Sequence, residues 1–156
     1  LAGIHHSQGS DLWATPQPFF DRLDQRFKFQ LDACAQEWNA KCDKFYSETQ
    51  NGLTQPWESW TWCNPPYSQI KWWYAKALHE ACRGASSVLL TFARTDTKAF
   101  HEYVMLATEI IFIKGRIRFV DPATRKISNP APAPSMLVIY DAKDIGAAKF
   151  STMPAK

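Results

Sequence analysis

The chain of 156 residues carries 18 Lys and Arg against 15 Asp and Glu, a formal net charge of +3, and its 46% hydrophobic and 14% aromatic content includes seven Trp. So many rings with only 21% charged residues exclude a disordered chain, and the length suits one compact core. No apolar run of about 18 residues and no secretory leader pattern is present, and the four cysteines form no C-x-x-C pair, so a membrane span, export and a zinc cage all lack support.

The expectation is a cytoplasmic, monomeric protein with buried free thiols and no metal, basic enough to suit a polyanion such as a nucleic acid. Residues 1–10, with His5 and His6 adjacent, lack periodicity and read as a loose or cloning-derived end, leaving 11–156 as a single domain. Thr15-Pro16 reads as a helix start, a hydroxyl cap followed by proline at the first helical position, with Phe19, Phe20, Leu23 and Phe27 on one face. Phe27, Phe29 and Leu31 alternate with Lys28 and Gln30, a period of two that predicts a strand ending at Asp32. Residues 34–56 are polar and irregular, broken by Asn51-Gly52 and Pro56, with only a short strand at Phe45-Tyr46.

Trp60-Thr61-Trp62-Cys63 is an aromatic and β-branched run halted by two prolines, the form of a buried strand whose chain turns at its tip. Ser68 then suits the cap of a helix with Ile70, Trp73, Tyr74, Ala77, Leu78 and Ala81 on one face, stopped by Gly84. Residues 87–92 predict a buried strand, 96–106 a helix and 109–113 another strand. Strand and helix alternate, so the fold class is α/β with a largely parallel sheet. Gly115 turns the chain into Ile117-Arg118-Phe119-Val120, a proline-rich stretch at 129–134 reads as an ordered surface loop, and 136–140 forms a last strand. This end reads as a β-ribbon closing the sheet.

In an alternating α/β sheet, ligands bind outside the carboxyl ends of the strands, where both Asp32 and Asn64 fall. Asn64 offers a side-chain carbonyl, and Pro65, lacking an N–H, fixes a backbone course that leaves carbonyl oxygens facing a pocket. Such acceptors suit an amine with two hydrogens, and Tyr67 adds a face for a planar base. Asn-Pro-Pro-Tyr is also a sequence that would end a strand in a plain turn. Arg94, Thr95 and Asp96 follow the 87–92 strand onto the same edge, where Asp96 serves equally as a helix cap. Lys114, Arg116, Arg118, Arg125 and Lys126 make the following region the most basic loop system, suited to phosphate contacts or to a solvated charged face.

Seven short blocks in one order resemble the phage and prophage family of DNA N6-adenine methyltransferases across residues 11–140. They are Asp11-Leu12-Trp13-Ala14-Thr15-Pro16, Leu31-Asp32-Ala33-Cys34-Ala35, Asn39-Ala40-Lys41-Cys42, Trp62-Cys63-Asn64-Pro65-Pro66-Tyr67, Arg94-Thr95-Asp96-Thr97, Lys114-Gly115-Arg116 and Pro134-Ser135. The resemblance implies a Rossmann-like, S-adenosylmethionine-dependent fold with an antiparallel C-terminal strand. It also implies methyl transfer from S-adenosylmethionine to the N6 amine of adenine in DNA, inside a bacterial host if the chain is phage-encoded. By the same resemblance Asn64, Pro65, Pro66 and Tyr67 are catalytic, while Trp13, Thr15, Pro16, Asp32, Ala33 and Asn64 hold the cofactor. Tyr67, Arg94, Thr95, Asp96 and Arg116 meet the target nucleotide.

The usual glycine-rich loop after the first strand is replaced by Asp32-Ala33-Cys34-Ala35, and the ribose-binding acid is open between Asp43 and Glu48. An adenine within a duplex must be rotated out to reach such a site. The tetrapeptide is also similar to that of enzymes acting on RNA adenine or a protein glutamine amide, whereas the cytosine-N4 enzymes carry Ser in place of Asn64. A non-enzymatic nucleic-acid-binding module would need no S-adenosylmethionine. No separate recognition domain fits in this length, so the loops at 94–100 and 116–135 are expected to carry sequence specificity.

Overall fold

The computed structural model describes residues 13–156; residues 1–10 and the Asp11-Leu12 pair lie outside the described residues. It is an α/β protein in which three helices flank one mixed sheet of six strands. In chain order the elements are α1 (Gln17–Phe27), β1 (Leu31–Asp32), β2 (Thr61–Cys63), α2 (Ile70–Cys82), β3 (Ser87–Phe92), α3 (Lys98–Tyr103), β4 (Glu109–Lys114), β5 (Ser135–Tyr140) and β6 (Lys149–Pro154). The strands lie in the order β1-β2-β3-β5-β4-β6. β1, β2 and β3 run parallel, β5 is antiparallel to both neighbours, and β6 runs parallel to β4.

Side chains alternate across the central strands and divide the core in two. On one face Leu89, Ile110, Met136, Val138 and Tyr140 pack against α2 and α3 through Trp73, Tyr74, Ala77 and Phe100. On the other, Trp62, Val88, Leu90, Ile111, Leu137 and Ile139 meet α1 through Phe19, Phe20, Leu23 and Phe27. Strands buried on both faces read as continuous apolar runs, which is why 87–92 was plain in the sequence.

The largely parallel sheet and the antiparallel strand at 135–140 agree with expectation, but that strand is not the last. β6 adds a parallel edge strand beyond β4, and its residues are mostly exposed, so no alternation marked it. Phe150 instead stacks on Phe112 at 6.0 Å. The strand expected from Phe27 shrinks to Leu31 and Asp32, because α1 continues through Phe27 and Lys28 ends it in the left-handed conformation at φ 57°. The alternation there reflects burial of Phe27, Phe29 and Leu31 and not extended pairing. At Phe45 a single bridge to Asp32 replaces the short strand.

Helix ends differ in the same local way. Pro16 occupies the cap position of α1, so Thr15 is not the cap and its hydroxyl is buried without a partner. Ser68 lies inside a 3₁₀ turn (Tyr67–Gln69) that leads into α2, whose end at Gly84 has φ 99° as anticipated. The helix expected at 96–106 is α3 followed by a 3₁₀ turn (Val104–Leu106). Its cap is Thr97, whose hydroxyl accepts from the Phe100 N–H at 3.2 Å, so Asp96 does not cap it.

Residues 117–120 do not join the sheet. Val120 bridges Ala14 on one side and Ile127 on the other, forming a small separate ribbon. The proline-rich loop is ordered as expected, with Ala131 and Ala133 buried and the Ala131 N–H donating to the Ile117 carbonyl at 2.9 Å. Leu137 is fully buried at the centre of β5, the strand that joins the two halves of the sheet. Leu137→Ala is expected to lower unfolding free energy by about 2–5 kcal/mol, read from the midpoint of urea denaturation.

Candidate active site

β1, β2 and β3 are parallel, so Asp32, Asn64 and the end of β3 reach the same sheet edge. A cavity of about 920 Å³ opens there. It is lined by Trp13, Thr15, Asp32, Ala33, Asn64, Pro66 and Tyr67 among the residues expected from the sequence. Pro16 sits just outside, at the cap of α1, and Pro65 is buried behind Asn64. Arg94, Thr95, Asp96 and Arg116 are exposed and do not line this cavity.

The Asn64 side chain is fixed by one bond. Its Nδ2 donates to the Trp13 carbonyl oxygen at 2.8 Å. A carbonyl can be met only by the amide nitrogen, so this contact decides which end of Asn64 is held and leaves Oδ1 as the acceptor available to a ligand. Behind it, Pro66 closes a tight turn in which its carbonyl accepts from the Gln69 N–H at 3.3 Å. Tyr67 stacks on Phe92 with centroids 4.0 Å apart and planes 19° apart, a contact that sets its ring against the tip of β3. The Arg94 guanidinium lies over the same Phe92 ring at 5.7 Å. Arg116 donates to the Ala131 carbonyl at 3.1 Å and braces the proline-rich loop.

Asp32 is buried at the end of β1. Its Oδ1 accepts from the Cys34 N–H at 3.2 Å and its Oδ2 from the Lys41 N–H at 3.0 Å, which curls the 34–41 segment round the carboxyl. Burial nevertheless pushes the carboxyl up to about 7, against the two N–H groups and the Lys41 charge that favour ionisation. Burial and the neighbouring acids also push the thiols of Cys34 and Cys42 up to about 12, and Cys63 well above its ordinary value. Of the four free thiols only Cys63 is buried; Cys34 and Cys42 are half-buried and Cys82, at the end of α2, is exposed, so the expectation of buried thiols holds for Cys63 alone.

Several site features were not read from the sequence. Gly52 approaches Ala33 from a distant loop so closely that a Cβ would fall 2.0 Å from the Ala33 carbonyl oxygen. Only glycine fits there, so Asn51-Gly52 is a close backbone contact on the cavity wall as well as a turn. Trp73 was assigned to the helix core, yet it lines the cavity with its Nε1 buried and unpartnered, as is the Thr15 hydroxyl. Of the two candidate ribose acids, Glu48 lines the cavity and Asp43 does not. Among the described residues no group of three His, Cys, Asp or Glu side chains is placed to hold a metal ion. No helix there is long and apolar enough to cross a membrane.

A strand-tip asparagine whose amide is held by backbone thus lies beside a cavity of about 920 Å³. The chain belongs to the DNA N-6-adenine-methyltransferase (Dam) family, whose model matches residues 4–153. It is similar to the DNA N-6-adenine-methyltransferase of Haemophilus phage HP1 (strain HP1c1), 36% identical over 138 residues that make up 85% of this chain and 80% of that protein. The DNA N-6-adenine-methyltransferase of Escherichia phage T1 is 37% identical over 107 residues, 67% of this chain and 45% of the relative, so the match spans less than half of that longer protein.

The Asp32 carboxyl sets a pH dependence whose sign is fixed. Below its ordinary value of 3.8 it is neutral in folded and unfolded chains; between there and about 7 only the folded chain keeps the proton. Unfolding then releases a proton, so the contribution to stability is full at low pH and is lost as pH rises through about 7. Asp32→Asn is expected to flatten that part of the fall in thermal midpoint between about pH 4 and about pH 8, measured beside the parent by calorimetry.

Proposed function

We propose that the cavity takes S-adenosylmethionine and that the Asn64 tip receives an adenine rotated out of DNA, in a Rossmann-like methyltransferase domain spanning residues 11–156. The single observation that carries this reading is the Asn64 amide held by Trp13 with its oxygen left to accept from an amine. Adenine-N6 methylation of DNA is the activity of the family to which the chain belongs.

The fit to the cofactor rests on the cavity's own donors and acceptors. About 920 Å³ is ample for a nucleoside of this size. The Thr15 hydroxyl and Trp73 Nε1 are buried without partners, and a polar ligand would satisfy both. Gly52 lies against the Ala33 carbonyl oxygen, so the wall at this point is backbone packed on backbone. Glu48 lines the cavity and would accept from ribose hydroxyls, and the Asp32 turn orders the 34–41 wall. When bound, S-adenosylmethionine supplies an electrophilic methyl on a sulfonium, with S-adenosylhomocysteine as product.

Asn64 Oδ1 and the Pro65 carbonyl accept the two N–H bonds of the adenine amine, drawing its lone pair out of ring conjugation and toward the methyl. Pro65 is buried, and the 3₁₀ turn at 67–69 fixes the backbone behind it, so these acceptors need no reorganisation when charge develops. Tyr67, backed by Phe92, offers a face to the base and so offsets part of the cost of extrusion, a few kcal/mol. Holding amine and methyl together is the main task, and alignment of this kind accounts for roughly 7–11 kcal/mol of a barrier. Arg94, Thr95, Asp96 and Arg116, outside the cavity, act on flanking nucleotides.

Transfer of labelled methyl to DNA, followed by nucleoside analysis, tests this reading with RNA and protein as parallel acceptors. Label is expected in N6-methyladenine from DNA, and Asn64→Ala should lower the rate by about 100-fold or more while keeping cofactor affinity near that of the parent. Label in RNA or protein alone would replace DNA as substrate; an unchanged rate in the variant would remove Asn64 from the chemistry. Separately, Gly52→Ala should weaken S-adenosylmethionine binding by roughly tenfold, the effect of overpacking against rigid backbone, as measured by calorimetric titration.

A further inference from the structure

We propose that the small ribbon at 119–128 is the arm that opens duplex DNA, with Ile127 as the wedge that enters the base stack when the target adenine leaves. The proposal rests on DNA being the substrate. Ile127 is 68% exposed, the most exposed large apolar side chain among the described residues. An isolated exposed isoleucine needs no explanation, but this one sits on a braced arm with a charged setting.

The brace is built from the turn itself. The Asp121 N–H donates to the Lys126 carbonyl and the Arg125 N–H to the Asp121 carbonyl, both at 2.8 Å. The Asp121 carboxylate accepts from the Ala123 N–H at 2.7 Å and from the Thr124 N–H at 3.3 Å. Below the turn, the Ser128 N–H donates to the Phe119 carbonyl at 2.8 Å, and buried Phe119 and Ile117 root the arm in the core beside α1. An apolar group fixed in this way can be driven into a stack, whereas one on a loose loop would fold aside.

Two contacts join the arm to the cavity. Val120 pairs with Ala14, which lies between Trp13 and Thr15 in the cavity wall, with bonds of 3.1 and 2.9 Å. On the other side the Arg125 guanidinium stacks on Trp38 at 3.8 Å, and Trp38 Nε1 donates to Gln36, itself in the wall, at 2.6 Å. The arm is therefore anchored to the cavity wall on two sides.

Charge complementarity commits the partner to a polyanion. From residue 110 to residue 140 the only acid is Asp121, whose carboxylate is engaged in the turn, against five bases. Lys114, Arg116, Arg118, Arg125 and Lys126 are all exposed. Basic side chains flanking one apolar tip match phosphates on either side of a base step. Filling the space left by a rotated base offsets the unstacking that extrusion requires.

The test uses a duplex carrying one site that the full chain methylates, and the same duplex with an abasic position opposite the target adenine, where no pairing has to be broken. Ile127→Ala and Ile127→Ser are expected to lower kcat/KM on the paired duplex by roughly tenfold or more and to return to within about twofold of the parent on the abasic duplex. S-adenosylmethionine binding should be unchanged. Parent-like rates on the paired duplex, or an equal loss on both duplexes, would overturn the wedge while leaving DNA as the substrate. No transfer to any DNA by the parent chain would instead overturn the substrate reading, and the wedge with it.

Discussion

The hydrogen bond from the Asn64 amide to the Trp13 carbonyl ties together parts of the chain that are 51 residues apart. It turns Asn64 from a generic turn residue into an oriented acceptor. The same short segment does two more things: Ala14 pairs with Val120 of the outlying ribbon, and Thr15 presents a buried hydroxyl to the cavity. Trp13, Ala14 and Thr15 thus link the Asn64 amide, the cavity wall and the outlying ribbon without belonging to any regular element. Backbone pairing makes this possible, because it leaves the side chains on both sides of the segment available.

The cavity wall after β1 is closed by a backbone contact from a distant loop. A ligand that lies close to backbone at a strand tip needs residues without bulk, and the segment after β1 has Ala33 and Ala35 where glycine would be usual. Gly52 lets a distant loop close directly on Ala33, whose carbonyl oxygen would lie 2.0 Å from a Cβ there, with Trp73 at 3.3 Å from the same point. Asp32 holds the intervening 34–41 segment through two backbone N–H groups. Its burial costs the charged form and raises its affinity for a proton. The carboxyl is therefore an organiser of the wall, and Glu48 lines the same cavity.

Local pattern revealed elements wherever one face or both faces of an element were buried. The run at 87–92, the α2 face from Ile70 to Ala81 and the Gly84 stop were legible because burial imposes a period and a positive φ favours glycine. β6 escaped because its residues are mostly exposed and pair through backbone, which any side chain permits. The caps escaped for a related reason. Thr15, Ser68 and Asp96 all have the chemistry of caps, but which hydroxyl or carboxylate meets an N–H depends on a turn of backbone that short-range sequence does not fix.

The sequence by itself determined an α/β chain, the position of Asn64 and Asp32 at strand tips, and the family, since ordered blocks and burial periods survive without knowledge of the third dimension. Only the tertiary structure decided that Gly52, Glu48 and Trp73 share the cavity with them, that Arg94 and Tyr67 meet the same Phe92 ring, and that the ribbon carrying Ile127 pairs with the 13–15 segment of the wall. The physical reason is that these relations are made by loops closing across the sheet edge. Loop closure depends on which distant backbones come into register, and no local periodicity records it.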